Sequence, residues 1–423
     1  MMGWQSGKNS RRQADDDSYN NHGDSMNHWT NGCAAASWCI ALSLGSATSF
    51  VHAEGNTVKI GVITSLSGPA AESGAQMKAG IDTWLRVHGP NVAGKRIEVI
   101  YKDDTGTQPD IAKRLATELV TRDRVDVLAG FVFTPNAMAA AGIADQGKKP
   151  MVVMNAAASA ITARSPYVTR VSYTIAQSAK PLAEWAYKTG ARRVFTVVAD
   201  YAPGVDAETW FNNTFTALGG KIVGSVRMPI GSVDYGAFVQ RIKDEKPDAI
   251  HVFLPNGQPM VSFTKAYREK GLDKANIRFL GGEGWGDEDV LKAGGDALVG
   301  IYSSGFYSYT RPGAENAKFV EAFGKTVNGK MAPSFLAASS YDGMELIAKT
   351  LAKTKGDASG PVFMAALKGY SNTSPRGTVA IDPATRDIVQ TMYIRRIDKQ
   401  GTKLVATEID RFDAVKDPGK EAK

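Results

Sequence analysis

The feature that most restricts this chain is a rhythm of strand-length and helix-length segments. Short apolar runs rich in β-branched residues begin near residues 58, 97, 125 and 150, and again near 193, 222, 249 and 277. Residues 58–63 (VKIGVI) form the first run. The turn-forming Ser65-Leu66-Ser67-Gly68-Pro69 breaks it, and residues 76–88 follow with Met77, Ile81, Trp84, Leu85 and His88 along one helical face. The same reasoning predicts strands over 96–101, 125–130, 150–154, 193–199, 222–227, 249–254 and 277–280. It predicts helices over 109–121, 136–145, 178–188, 206–218, 235–243 and 259–270. Strands alternating with helices dictate an α/β fold, a parallel sheet wound on both faces through right-handed crossovers.

The two sets of strands share their spacing, and the loops that follow them correspond in kind: SLSGP with DYAPG, FTPN with LPNGQP, and NAAAS with GGEGW. Two doubly wound parallel-sheet lobes account for this better than one sheet, because open twisted sheets rarely exceed about ten strands. Beyond residue 299 the sequence predicts a strand at 299–303, helices at 314–327, 339–351 and 361–367, and strands at 378–381 and 389–398. These segments have nowhere to pack except on the two lobes. No Pro/Ser-rich linker parts the halves, so the lobes should interlock across a hinge.

Composition then narrows the chemistry. Of 423 residues 43% are hydrophobic and 22% charged, too apolar for disorder and long enough for two or three cores. Both cysteines, Cys33 and Cys39, and three of the five histidines (His22, His28, His52) precede residue 54. Residues 33–50 (CAAASWCIALSLGSATSF) are a small-residue apolar stretch ending in Val51-His52-Ala53, the layout of a secretory leader cleaved after Ala53. The competing reading of that stretch is a buried core helix. Residues 54–423 hold no cysteine, which excludes a Cys metal site, a thiol nucleophile and a disulfide framework there. Leaving out residues 1–53 takes 3 of 50 Lys+Arg and 4 of 43 Asp+Glu, so 47 face 39 and the balance is +8. Those charges are scattered with acids between them, so no nucleic-acid partner is expected.

In doubly wound sheets ligands sit beyond the carboxyl ends of the strands. The loops there are rich in Ser, Thr, Asn, Gly and Ala, a composition suited to holding an anion on backbone N–H groups and hydroxyls at helix starts. Any one such residue reads better as a cap or turn former; the set of loops points to a site. Catalytic signatures are lacking: no G-x-S-x-G, H-E-x-x-H or P-loop occurs, and Gly281–Gly286 misses the dinucleotide spacing. His88 and His251 read as packing residues. The loop carboxylates Asp200, Glu283 and Asp287 could form a hydrolytic pair, while Glu283 and Trp285 could serve as a cation acceptor and an aromatic wall. No metal and no cofactor is called for.

Residues 58–68 (VKIGVITSLSG), 130–137, 155–159 followed by Ser165-Pro166-Tyr167, 200–204 (DYAPG) and 265–272 (KAYREKGL) resemble the periplasmic solute-binding proteins of ABC importers, in particular the Leu/Ile/Val-binding type. The resemblance spans about residues 57–400. Arg376-Gly377 and 381–388 (IDPATRDI) resemble the closing segment of that family, especially members handling aromatic acids. It implies two lobes joined by three hinge strands (the type I periplasmic binding protein fold), 57–176 plus 305–375 forming one and 177–304 plus 376–410 the other, with 411–423 a tail. It implies that the ligand carboxylate is held by the loop bearing Thr134 and Asn136 and by Ala156-Ala157-Ala158-Ser159. Glu283 matches the acid that pairs with a ligand amine. Tyrosines lining the family's amino acid pocket are replaced by Ser73, by Tyr201 or Pro203, and by Asn256; Ser67 lies in the first loop. This reshaped pocket counts against branched-chain amino acids and leaves aromatic carboxylates open. The implied protein is an exported, monomeric, non-enzymatic binder that hands its ligand to a membrane permease. The alternatives are a ligand-sensing receptor domain on the same fold and a carboxylate-dependent hydrolase.

Overall fold

The computed structural model describes residues 56–420 apart from Val233. The leader, its cleavage point after Ala53 and both cysteines lie outside the described residues. Among the described residues no helix is long and apolar enough to cross a membrane.

The first sheet holds β1 (Thr57–Thr64), β2 (Asn91–Val92), β3 (Lys95–Asp103), β4 (Val127–Gly130), β5 (Met151–Val153) and β6 (Val168–Arg170), in the order β2-β3-β1-β4-β5-β6. All neighbours are parallel except the short β2, which turns back on β3. Helices α1 (Ala71–His88), α2 (Pro109–Thr121) and α3 (Thr134–Gly147) connect its strands. Then α4 (Ile175–Lys188) leads into the second unit: β7 (Arg193–Ala199), α5 (Ala202–Ala217), β8 (Lys221–Met228), α6 (Gly236–Glu245), β9 (Ala249–Phe253), α7 (Gln258–Glu269), β10 (Arg278–Gly281), α8 (Glu288–Gly294) and β11 (Tyr302–Gly305). Helices α9 (Ala314–Thr326), α10 (Phe335–Lys353) and α11 (Gly360–Ala366) come next, before β12 (Ser371–Ser374), β13 (Gly377–Ile381), β14 (Ile388–Gln400) and β15 (Lys403–Val415). The second sheet runs β12-β13-β14-β11-β10-β9-β7-β8, with β15 paired to β14. Its β7 to β11 half is parallel and its β12 to β15 half antiparallel.

Both lobes solve the same packing problem with the same residue. A Cβ at Gly74 would strike the carbonyl of Ser65, just past β1, and one at Gly204 the carbonyl of Ala199, which ends β7. Glycine in the first turn thus lets each helix start hard against the strand before it, and brings its N-terminus to the strand end.

Three stretches carry the chain between the lobes. Residues 171–174 join β6 to α4, residues 306–309 follow β11, and β14 runs from Ile388 and Met392, in the core of the first lobe, to Ile394 and Ile397, in the cores of the second. The strand β15 returns antiparallel beside β14. Beyond it Asp417 is buried, accepting from Ser159 Oγ and Thr174 Oγ1, both at 3.0 Å. Residues 411–415, expected to begin a tail, instead continue β15 and pair with β14.

Arg376 ties the three crossings together. Its guanidinium donates to the carbonyls of Val171 and Ser172, to Gln390 Oε1 at 2.8 Å and, from Nε, to Asp342 Oδ2 at 2.7 Å; it also stacks 4.6 Å from the Phe306 ring.

His251, in β9, packs as expected of a core residue, stacked 4.1 Å from the ring of Phe211 with its Nδ1 unpartnered. Burial pulls its pKa from the ordinary 6.5 to about 3. An unfolded chain binds that proton below about pH 6.5 and the folded one does not, so stability present at neutral pH is lost as pH falls through that window. The loss should approach about 1.4 kcal/mol per pH unit. Urea midpoints at pH 7.5 and 4.5 check this: His251→Phe should flatten the difference, and an equal fall in both proteins would overturn it. His88, by contrast, is exposed, stacked on Trp84 and bonded to the Tyr341 hydroxyl at 3.0 Å.

Candidate functional site

Helices α3, α5 and α7 begin within a few residues of the ends of β4, β7 and β9, and each has a proline in its first turn: Pro135, Pro203 and Pro259. Proline fixes a helical φ where no internal N–H partner is needed, so each loop becomes a short bend into a helix start. The residues before these helices, Phe133, Tyr201 and Gly257, make no side-chain cap bond. In α3 and α5 the first-turn N–H groups beside the proline are left without a side-chain cap, to face an anion at the helix start; in α7 the Met260 N–H already donates to the Gly257 carbonyl.

The loops of the two lobes meet. Ser159 N–H donates to Asp206 Oδ2 at 3.1 Å. One apolar cluster takes Val132, Ala157 and Tyr173 from the first lobe together with Val198, Ala207 and Phe306, with Phe133 and Phe253 packed at its margin. Tyr173 packs tilted against Phe306 (5.3 Å) and edge-on against Phe335 (6.1 Å). Burial first, then the charge of Glu283, push its phenol well above the ordinary range. Burial also raises the phenol of Tyr201, which lies 6.3 Å from the Phe253 ring. Where the loops of the two lobes meet, the side chains are thus aromatic and apolar, edged by helix N-termini and small residues.

The residues singled out in the sequence fall into two groups. Thr134, Ala157, Ala158, Tyr201 and Asn256 are brought to these strand-end loops. Thr134 Oγ1 accepts from Ala158 N–H at 3.3 Å, binding the start of α3 to the loop after β5. Asn256 sits against Gly284, where its Oδ1 occupies the space a Cβ would fill. The other group is committed to the protein itself. Asn136 Nδ2 donates to Asp104 Oδ2 (2.7 Å) and Gly106 O (2.8 Å), stapling the start of α3 to the loop after β3. Ser159 is held through its N–H by Asp206 and through Oγ by Asp417. Ser67 is exposed with its N–H on Asp103, and Ser73 is half-buried in the first turn of α1.

Trp285 departs from its expected role as an aromatic wall. It is fully buried in the core of the second lobe, 4.8 Å from the Phe279 ring and against Gly281. Glu283 itself is 3% exposed and already paired: Oε1 takes Arg395 Nη2 at 2.6 Å, and Oε2 takes the Phe306 N–H. Asp287 is buried, and burial with the charges of Asp289 and Glu283 holds its carboxyl well above the usual carboxylate range. Of the three acids, Glu283 is neutralised by Arg395, Asp287 is buried and Asp200 is exposed. Among the described residues no cluster of His, Cys, Asp or Glu could hold a metal.

Tyr173 and Phe306 were not singled out in the sequence. Both lie just past the ends of strands, in the crossings; the signal that could have found them is the change of lobe after β6 and β11.

Residues 57–402 match the family model for periplasmic binding protein. The chain is 41% identical over 369 residues to Leu/Ile/Val-binding protein homolog 6 of Brucella melitensis biotype 1, covering 87% of this chain and 94% of that one. It superposes with a TM-score of 0.82 on a solute-binding protein of an ABC transporter from Rhodopseudomonas palustris BisB5 in complex with 3,4-dihydroxybenzoic acid. The two are 46% identical, with 86% of this chain and 99% of that one covered. A second R. palustris solute-binding protein, in complex with 4-hydroxybenzoate, matches at 41% identity and a TM-score of 0.82 over 86% and 100% of the two chains.

Proposed function

This chain belongs to the periplasmic binding protein family, and we propose that its cleft captures a small aromatic carboxylate without an amine, of the hydroxybenzoate kind. The chain has the type I fold of that family, two mostly parallel α/β sheets, and is a solute-binding component of an ABC transporter; the family binds and does not catalyse.

The observation that carries the ligand class is the pairing of Glu283 with Arg395. An amino acid needs an anion for its ammonium, and a buried carboxylate already neutralised by a guanidinium offers little to a second cation. A carboxylate ligand needs donors, and the starts of α3 and α5 present them beside an aromatic wall of Tyr173, Phe253 and Phe306. That the R. palustris proteins were solved with hydroxybenzoates supports the same class. Thr134, Ala157, Ala158, Tyr201 and Asn256 are the contacts we assign to it.

Capture proceeds by closure of the lobes, which removes water and strengthens the neutral donors around the carboxylate. A thermal-shift panel of 4-hydroxybenzoate, 3,4-dihydroxybenzoate, benzoate, leucine, isoleucine and valine tests the assignment. At a concentration 100-fold above Kd the bound ligand should add about 2.7 kcal/mol, a shift of a few degrees. A shift with the hydroxybenzoates and none with the amino acids is expected; the reverse pattern would return the site to hydrophobic amino acids.

A further inference from the structure

Two hydrogen bonds cross between the lobes in the same sense. Ser159 N–H, in the loop after β5, donates to Asp206 Oδ2 in the first turns of α5 (3.1 Å). Ala332 N–H, in the loop before α10, donates to Glu288 Oε2 at the start of α8 (2.7 Å). In each the donor is backbone of the first lobe and the acceptor a carboxylate of the second.

Both pairs are built to make that contact. Glu288 is held by Lys292 one turn on, at 3.0 Å. The loop it meets is fixed from behind, where Gln76 of α1 donates to Ala332 O (2.9 Å) and accepts from Ser334 N–H (3.0 Å). Ser159 is fixed from its other side by Asp417. Asp206 sits in the second turn of α5. Charge-assisted bonds to backbone N–H are stronger than neutral ones, and opening the cleft would return both partners to water. Contacts that exist in one state alone are what set a two-state equilibrium.

We propose that Asp206 and Glu288 are closure latches: carboxylates of the second lobe that hold the cleft shut on backbone N–H groups of the first. They thereby set how long a ligand stays without touching it. This rests on the cleft-closure reading above, and the test has one arm that needs no ligand.

Spin labels at Lys113→Cys and Gln240→Cys, exposed positions one in each lobe, report the opening by pulsed electron resonance, in the full chain with Cys33→Ser and Cys39→Ser. Without ligand, Asp206→Ala and Glu288→Ala should each move population toward the longer distance. Dissociation of 4-hydroxybenzoate in stopped flow should quicken about tenfold for each, and multiplicatively in the double variant. Glu288→Gln keeps a neutral acceptor and should give about a threefold effect. A distance distribution unchanged in both alanine variants overturns the proposal. So does a fall in melting temperature with no widening, which would mark the residues as structural. If 4-hydroxybenzoate fails to bind the parent protein, the ligand assignment falls while the distance arm still decides the latches.

Discussion

Arg376→Ala should lower the free energy of unfolding by about 3–5 kcal/mol, because it strands the Asp342 carboxylate in the interior. Arg376 and Asp342 are each 2% exposed. Burial pulls the guanidinium pKa down and pushes the Asp342 carboxyl up, and in each case the partner's charge opposes the shift. The pair is therefore costly to bury and more costly to break. The guanidinium also satisfies the carbonyls of Val171 and Ser172, which lie in the first crossing and have no strand partner there. Lysine cannot replace this. An ammonium is a point charge and the acceptors lie around a planar fork, so Arg376→Lys should still lose about 2–3 kcal/mol. Arg376→Met with Asp342→Leu removes both charges and should recover much of the alanine variant's loss. Urea unfolding followed by far-ultraviolet dichroism reads all three. An alanine variant within about 0.5 kcal/mol of the parent would mean that the crossings do not depend on this clamp.

The lobes were legible because the signal for them is local and periodic. A run such as 58–63 followed by a one-faced helix needs no distant partner to be read, and β1 and α1 stand where that pattern places them, with helix and strand ends longer by a few residues. What escaped was short or non-local. The three residues of β6 and the four of β12 are too brief to show alternation. The polar alternation of β15 becomes a strand only because β14 is beside it. The site divides in the same way. Strand-end loops locate the cleft from sequence, since the topology of parallel sheets sends them there. The roles of single side chains depend on partners far along the chain. Nothing near Asn136 reveals that Asp104 will take its amide, and Trp285 enters the core because Phe279 and Gly281 leave room for it.

Glu283 is the sharpest case, and it gives the second large prediction. Its partner Arg395 is 112 residues away in sequence, on β14, and both side chains are almost fully buried. Gly305 lies against the pair, where any Cβ would collide with both, so the backbone of β11 is shaped to admit it. Arg395 also donates to the Tyr307 carbonyl, and its Nε has no partner. Removing Glu283 would leave a buried guanidinium with one acceptor. Glu283→Ala should therefore cost about 3–5 kcal/mol in the ligand-free protein, and Glu283→Gln, which keeps an acceptor without the charge, about 1–3 kcal/mol. The double variant Glu283→Met, Arg395→Met should lose less than Glu283→Ala alone, a coupling that a cycle of the four proteins measures. A ligand-amine acceptor behaves differently: its loss spares the empty protein and abolishes binding. Urea unfolding without ligand, beside the stabilisation each variant gains from 4-hydroxybenzoate, separates the two roles. An unaltered unfolding curve for Glu283→Ala would show that the pair does not hold the hinge side of the second lobe together. It would also reopen the cleft to amino acids, because a carboxylate that Arg395 does not need is one that an ammonium can use.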